Sequence, residues 1–383
     1  MPAVIDEENR RVDNLLGVMR PPLPEPVESP EAIQARRQIW AATEAVPVLI
    51  SDRTEGIDNS WTGVDVRTLV RGEHSAARFS AHSIILDPGA GLQPHYLADT
   101  HTYVLVTAGA VALRVGDRNE VVGMHSLGYV PPRTRLGFRN ASELATAKLV
   151  LVYAPAGADL AFSALHARCN DEITVSEETV ADTLSRFGFS FDDAALDNDA
   201  KVFAELPHFD FDFRASGDLD RLRAELFQRA DVPRIIVTTP DEYDAASAGA
   251  SRRKELIGGD ETAGNAMLNM LSGLPGFGAP VHHQPTEDEF FFITGGELQM
   301  TCGNATTVLT ADALAYCPRN CTHGFRNIGQ SGESRFVTLN APAGHERTMA
   351  AVRAAIAAGV PREEVEQLCI AGGFIFHSIE EVL

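Results

Sequence analysis

Short apolar runs separated by Gly, Pro and Asp recur along this chain and predict β-strands. The runs HTYVLVTAGAVALRVG (101–116) and DEFFFITGGELQMTCG (288–303) are β-branched and aromatic and are broken at Gly. This pattern favours a β-hairpin in each run. The runs LVLVYAPAG (149–157) and RFVTLNAPAG (335–344) predict strands that end in Pro-Gly turns. Many short strands with turns between them indicate a sandwich or a small barrel rather than βαβ units.

The chain contains an internal duplication. Residues 89–157 align with 276–344 at a shift of 187 positions and without a gap, which brings LGFRN onto HGFRN and APAG onto APAG. The fold class that follows is mostly β, with two tandem barrels of the same design and short flanking helices.

The segments that flank the barrels repeat as well. Amphipathic helices are predicted at 29–40 and 217–228, each ahead of a short apolar strand, and both tails, 175–191 and 360–376, combine an acidic helix with a Gly-Phe-x-Phe end. These features divide the chain into an N-terminal arm and helix (1–45), a first barrel (46–191), an acidic connector with a helix (192–231) and a second barrel with a C-terminal helix (232–383).

The charge balance excludes some classes of partner. The 383 residues carry 53 acids against 32 Lys and Arg, for a net charge of −21. Such a surface repels phosphate backbones and anionic lipids, so neither nucleic acid nor a membrane is an expected partner. There is no apolar run of membrane-spanning length, the first residues printed lack the apolar core of a signal sequence, and the five Cys include no CxxC pair. We therefore expect a cytoplasmic protein with reduced thiols, either a monomer or a homodimer.

Two motifs in the second half carry candidate metal ligands. The first runs Gly276-x5-His282-x-Gln284-x4-Glu289-x6-Gly296, and the second includes Pro318, Asn320, His323 and Asn327. Strand side chains alternate between faces, so His282 and Gln284 point one way and His283 the other. Two imidazoles and a carboxylate on neighbouring strands can hold a divalent transition metal and leave coordination positions open.

These motifs resemble those of the cupin superfamily, a jelly-roll barrel that binds one divalent metal. There, the first motif supplies His, His and Glu, and the second supplies another His. The resemblance implies that His282, Glu289 and His323 are ligands. The sequence departs from the pattern at Gln284, which stands where the second His is usual.

Several assignments around the motif remain open. The amide oxygen of Gln284 could be a weak fourth ligand, or its NH2 could donate a hydrogen bond. His283 is the alternative ligand if a bulge turns the strand. Glu287 and Asp288 are expected to be solvated acids at a turn, with Asp288 as the stand-in if Glu289 is displaced.

The first half has lost this ligand set. His95 remains, but Leu97, Thr102 and Leu136 occupy the positions of Gln284, Glu289 and His323. We therefore expect a metal-free barrel that serves as a built-in dimer partner. The polar residues nearby, His101 and Tyr96, are expected at the surface or in packing.

The walls of the second barrel are expected to be apolar. Phe291 and Ile293 share the strand parity of Glu289, Phe325 that of His323, and Met300 extends the wall. Arg326 alternates to the outside. A metal site with aromatic walls favours a flat, oxygen-bearing organic substrate.

The tandem plan with one intact site resembles dioxygenases of the quercetinase type. That resemblance implies an O2-dependent cleavage of an enolisable or hydroxylated aromatic molecule, flavonol-like or 1,3-dicarbonyl-like, with one metal per chain. Iron is the first expectation, and Mn, Ni, Cu or Co are alternatives. Glu289 is the candidate general base, because burial among apolar groups raises a carboxyl pKa. The alternatives are a metal-dependent isomerase, cyclase or lyase, and a non-catalytic binding protein.

Overall fold

The computed structural model describes residues 29–169, 175–191, 231–239, 241–244 and 251–377. Two antiparallel barrels follow one another, each built from a larger and a smaller sheet. The predicted fold class of two tandem jelly-roll barrels with short flanking helices is confirmed.

The first half begins with helix α1 (Pro30–Ala41), which Ser29 caps by accepting a hydrogen bond from the backbone of Ala32. The strands that follow in chain order are β1 (Val48–Ile50), β2 (Ile57–Asp58), β3 (Val64–Val70), β4 (Ser80–Leu86), β5 (Gly91–Leu97), β6 (His101–Ala108), β7 (Val111–Val115), β8 (Arg118–Val122), β9 (Leu127–Val130), β10 (Leu136–Asn140) and β11 (Ala147–Ala154). Two helices and a short strand close this half: α2 (Ala158–Cys169), α3 (Glu177–Ser185) and β12 (Phe189–Ser190).

The second half repeats the same order of elements. Its strands are β13 (Arg234–Ile236), β14 (Ser251–Ile257), β15 (Met267–Gly273), β16 (Gly278–His283), β17 (Asp288–Gly295), β18 (Leu298–Cys302), β19 (Ala305–Leu309), β20 (Leu314–Cys317), β21 (His323–Arg326) and β22 (Ser334–Ala341). Helices α4 (His345–Ala357) and α5 (Arg362–Ala371) follow, and then β23 (Ile375–Phe376).

Each barrel contributes a strand to the other. The larger sheet of the first barrel has the order β13-β9-β6-β11-β4-β3-β2, and that of the second has the order β1-β20-β17-β22-β15-β14. Thus β1 pairs with β20, Val48 opposite Tyr316, while β13 pairs with β9, Arg234 opposite Tyr129. Sheet membership therefore crosses the boundaries that the sequence suggested at 46 and 232.

The outer faces of the two larger sheets form a shared core. Phe79 and Tyr129 of the first half belong to the same buried cluster as Phe290 and Tyr316 of the second. The Phe79 ring meets that of Phe290 edge to face at 5.3 Å between centroids. On β17, Phe290 and Phe292 thus face the partner barrel, while Phe291 and Ile293 fill the interior of their own barrel.

A buried ion pair lies within the contact between the barrels. The Asp288 carboxylate is fully buried and accepts hydrogen bonds from the guanidinium of Arg78 in the first half, at 2.7 and 2.8 Å. Arg319 and the Tyr316 hydroxyl also donate to it. The expectation that Asp288 is a solvated acid is therefore wrong, because the neighbouring barrel covers this turn.

The glycines at the end of β17 turn a corner of the barrel. β17 pairs with β20 and β22, whereas β18 pairs with β19 and β21, so the predicted hairpin across 288–303 is wrong. The hairpin predicted across 101–116 is wrong too, because β6 and β7 belong to different sheets. The chain passes from one sheet to the other through Gly296, which has φ of 73°. A Cβ there would lie 2.3 Å from the carbonyl oxygen of Glu333, so both the dihedral and the space favour glycine.

The helices fit the sequence pattern in part. The predicted helices near 29–40, 177–185 and 362–371 are present, whereas α2 and α4, directly after the two APAG segments, were not predicted. The N-terminal arm up to residue 28, the connector from 192 to 230 and the helix predicted at 217–228 lie outside the described residues. Within the described ranges, every helix is too short or too polar to cross a membrane.

Replacing Arg78 by Leu should destabilise the protein, because it leaves the buried Asp288 with fewer partners. Removing one member of a buried pair costs about 3 kcal/mol, and urea denaturation would measure this loss in the free energy of unfolding. Arg139→Leu is the matched control, since its partner Glu177 is exposed and such pairs contribute no more than about 1 kcal/mol. Equal effects of the two substitutions would contradict a structural role for the contact.

Candidate metal centre

Three strands of the second barrel bring the predicted ligands together. His282 lies at the end of β16 and pairs with His323 at the start of β21. Glu289 lies on β17, opposite Cys317 on one side and Asn340 on the other. One nitrogen of each imidazole and one oxygen of the carboxylate all lie within 4.8 Å of one another. Residues 41 positions apart in the chain thus form one compact face.

The backbone orients both imidazole rings. Nδ1 of His282 lies 2.7 Å from the carbonyl oxygen of Pro280, and Nδ1 of His323 lies 2.9 Å from that of Cys321. A neutral ring whose Nδ1–H donates to a carbonyl has its lone pair on Nε2, which is the state that a metal ligand needs. Burial and the nearby His323 lower the pKa of His282 to about 4, so this ring is neutral at neutral pH.

Glu289 is a buried carboxylate with partners on both oxygens. Oε2 lies 2.9 Å from Nε2 of His323, and Oε1 accepts a hydrogen bond from the Asn340 amide. Burial alone would raise the pKa of Glu289, but the bond to His323 and the surrounding imidazoles lower it to about 2. The expectation of a raised pKa is therefore wrong, because imidazoles and not only apolar groups surround this carboxylate.

Gln284 and two residues that the motif did not include form the polar side of the centre. The Gln284 amide donates to Oε2 of Glu287 at 2.5 Å, and its Nε2 lies 3.1 Å from Nδ1 of His345 at the start of α4. Glu287 is 2% exposed, so the expectation of a solvated acid is wrong. Burial lowers the pKa of His345, but Glu287 and then Glu289 outweigh this effect and raise it.

The sequence motifs did not include His345, although comparison of the two repeats distinguishes it. It follows the second APAG segment directly, where the first copy has Ala158. The signal in the sequence was a His that is present in the second copy of this segment and absent from the first. It carries no motif spacing, and its approach to Glu289, which lies 56 positions earlier, depends on the turn before α4.

His283, the alternative ligand, lies outside the group formed by His282, Glu289 and His323. Nδ1 of His283 contacts Nε2 of His377 at 2.7 Å, on the opposite side of β16 from His282. The register of β16 does shift between Ala279 and His282, but this irregularity leaves His282 directed at the centre. Asp288 points towards Arg78 of the first half and takes no part.

The donor set fits a divalent transition metal. It offers two imidazole nitrogens and one carboxylate oxygen, and the buried amide oxygen of Gln284 has no hydrogen-bond partner among the described residues. Glu287, Glu289 and His345 form a second group of possible ligands that shares Glu289. Buried carboxylates are paired or coordinate metals, so a cation here would compensate charge that the apolar interior cannot solvate.

The first barrel keeps the backbone arrangement without these ligands. Leu136 pairs with His95 as His323 pairs with His282. His95 is buried, and its ring packs against Phe189 and Phe191 of the first tail. Tyr96 is buried in packing, and Nδ1 of His101 lies 3.0 Å from the Tyr129 hydroxyl.

Apolar side chains surround the centre on two sides. The predicted wall residues Phe291, Ile293 and Met300 are buried in one cluster against which Phe325 packs, and Arg326 is exposed. On the opposite side, the Phe374 ring lies 5.2 Å from the rings of both His282 and His345. The C-terminal segment that carries α4, α5 and β23 therefore covers the centre.

Residues 273–340 match the family model described as the cupin domain. This range includes His282, Glu289 and His323, so the segment that holds the candidate ligands is cupin-like in sequence. No curated protein matches the chain.

Several solved structures are similar at low identity. The protein Ylba of E. coli is 11% identical, with 80% of this chain and 96% of that chain covered and a TM-score of 0.49. A mutant oxalate decarboxylase of Bacillus subtilis is 13% identical, with 85% of each chain covered and a TM-score of 0.47. The oxalate decarboxylase of Lactobacillus farciminis in complex with formate is 14% identical, with 85% and 97% covered and a TM-score of 0.47. Similarity at this level carries no information about the reaction.

Metal content should depend on His323 and not on His283. We expect His323→Leu to lose the metal that the wild-type protein retains, because it removes one of the two grouped imidazoles. His283→Leu should retain it, since that ring contacts His377 instead. Elemental analysis of the purified proteins measures both. Metal retained by the His323 variant would contradict this assignment.

Metal loading should weaken in acid. The bond to Glu289 outweighs burial and raises the pKa of His323, and a protonated imidazole cannot bind a metal. The apparent affinity should therefore fall as the pH drops below this raised pKa, by about tenfold per pH unit for one proton. Titration with Co(II) between about pH 5 and pH 8 measures it. An affinity independent of pH over this range would contradict competition with the proton.

Proposed function

Because residues 273–340 are cupin-like, we propose that the second barrel is the active site of a metal-dependent dioxygenase. The observation that carries this proposal is the group of two imidazoles and one carboxylate formed by His282, His323 and Glu289. A face of two His and one carboxylate with open positions is the arrangement that non-haem Fe(II) oxygenases use. Iron is therefore the metal that we propose, at one per chain.

The metal would supply Lewis-acid activation of a substrate oxygen and a redox centre for O2. The chain's own residues hold and orient the reactants. His282 and His323 direct Nε2 at the centre because their Nδ1–H groups donate to backbone carbonyls, and the Asn340 amide donates to the carboxylate of Glu289. With its pKa lowered to about 2, Glu289 stays ionised, which favours the role of a ligand over that of a general base.

The surroundings support a small organic substrate with oxygen atoms. Phe374 and Phe376 pack on the His282 ring and offer flat apolar surface, while Gln284 and Glu287 offer a hydrogen-bond donor and an acceptor. A hydroxylated aromatic or a 1,3-dicarbonyl compound has both kinds of surface. Glu287 lies outside the group of His282, Glu289 and His323. It is therefore the carboxylate that can accept a substrate hydroxyl proton while all three proposed ligands stay in place.

The same polar side favours a second candidate function. Glu287 and His345, 3.6 Å apart, can exchange protons beside a Lewis acid, as an isomerase or lyase that acts on an enolisable carbonyl compound requires. Such a reaction consumes no oxygen. Oxygen uptake therefore separates the two candidates.

Oxygen uptake should accompany turnover of the iron-loaded protein with flavonols or 1,3-dicarbonyl compounds. An oxygen electrode, together with chromatography of the products, measures both sides of the reaction. His323→Leu is the negative control, and His283→Leu should retain the rate because that residue lies outside the group. Product formation without oxygen uptake would favour the isomerase or lyase. A metal-loaded protein that binds these compounds without converting them would overturn both catalytic proposals.

A further inference from the structure

His345 occupies the space beside the position where the ligand pattern is incomplete. Its Nδ1 lies 3.1 Å from the terminal amide nitrogen of Gln284, the residue that stands where a ligand His was expected. The same Nδ1 lies 3.8 Å from Oε1 of Glu289, the carboxylate oxygen that faces away from His323. Thus α4 places an imidazole beside the position on β16 where Gln284 replaces the expected His.

The start of α4 holds the ring in this place. The Glu346 carboxylate accepts hydrogen bonds from the backbone of Gly344 at 2.8 Å and of Gly259 at 3.0 Å, which ties the helix start to the barrel. The Phe374 ring packs against His345 from the other side. A ligand held by its surroundings loses little conformational entropy when it binds a metal.

The duplication provides an internal comparison. At the position of His345 the first copy has Ala158, and that copy also lacks the equivalents of Glu289 and His323. The imidazole is therefore present in the half that keeps the ligand group and absent from the half that has lost it.

The distances suit a ligand of the same ion after a small movement. Metal–nitrogen distances of about 2.1 Å place neighbouring ligand atoms about 3 Å apart and opposite ones about 4.2 Å apart. The 3.8 Å from Nδ1 to Glu289 lies within this range. His345 forms its own group with Glu287 and Glu289, outside that of His282 and His323, so a shift of the ring or the ion has to bring the groups together.

We propose that His345 is a further ligand of the metal, binding through Nδ1 in place of the His that Gln284 replaces. This inference rests on the proposed metal site at His282, Glu289 and His323. Gln284 then serves to hold Glu287 through its amide. The C-terminal segment over the site becomes part of the metal centre, because one ligand comes from α4.

Counting imidazoles around a bound copper ion tests this assignment without relying on activity. Pulsed EPR of the Cu(II)-loaded wild-type protein should report three bound imidazoles, and His345→Ala should report two, with Cu(II) affinity lowered by tenfold or more. Added imidazole should restore the third signal in the alanine variant. His345→Asn, whose amide keeps a polar group near Gln284, serves if the alanine variant does not fold.

His377→Ala is the matched control, since His377 lies in the same segment but contacts His283. It should retain three imidazoles. Two imidazoles in the wild-type protein, or an unchanged count in both His345 variants, would overturn the role of His345 and leave the proposed site intact. Copper binding that survives His323→Leu unchanged would overturn the proposed site itself, and with it this inference.

Discussion

The contact between the two barrels is the constraint on which the rest of the structure depends. The larger sheets carry apolar side chains on both faces, since consecutive strand residues such as Phe290 and Phe291 are both buried. One face fills its own barrel, and the other stays out of water only where the second barrel covers it. Burial at about 25 cal/mol per Å2 makes this shared core a large favourable contribution, and the exchange of β1 and β13 ties the halves together.

That contact also shapes the candidate centre. Asp288 and Glu289 are adjacent in sequence and point in opposite directions from one strand. Asp288 is neutralised by Arg78 from the other barrel, while Glu289 is left among imidazoles in its own barrel. Two neighbouring acids thus have separate roles, one in holding the barrels together and one in the proposed metal site.

The duplication shows that the backbone arrangement of the barrel does not depend on the candidate ligands. Both halves pair equivalent residues, His95 with Leu136 and His282 with His323. Leu136, at the position of His323, removes a possible metal ligand while the strand pairing is kept. The barrel is therefore a scaffold, and the proposed metal site depends on a few of its side chains, which agrees with the general observation that fold does not imply function.

Much of this protein was readable from its sequence. Strand alternation, the shift of 187 positions and the two motifs were sufficient to predict the tandem barrels and to select His282, Glu289 and His323. The direction of Phe291 and Arg326 followed from parity as well. These features were predictable because a strand repeats every two residues and a duplicated segment preserves its spacing.

Only the tertiary structure decided the features that depend on a second segment. Glu287 and Asp288 are neighbouring polar residues whose partners come from distant segments, His345 of α4 for Glu287 and Arg78, 210 positions away, for Asp288. The lowered pKa of Glu289 and the position of His345 depend likewise on elements that meet only when the barrel closes. The physical reason is that such contacts leave no periodic trace in the chain, since each residue alone has an ordinary local pattern.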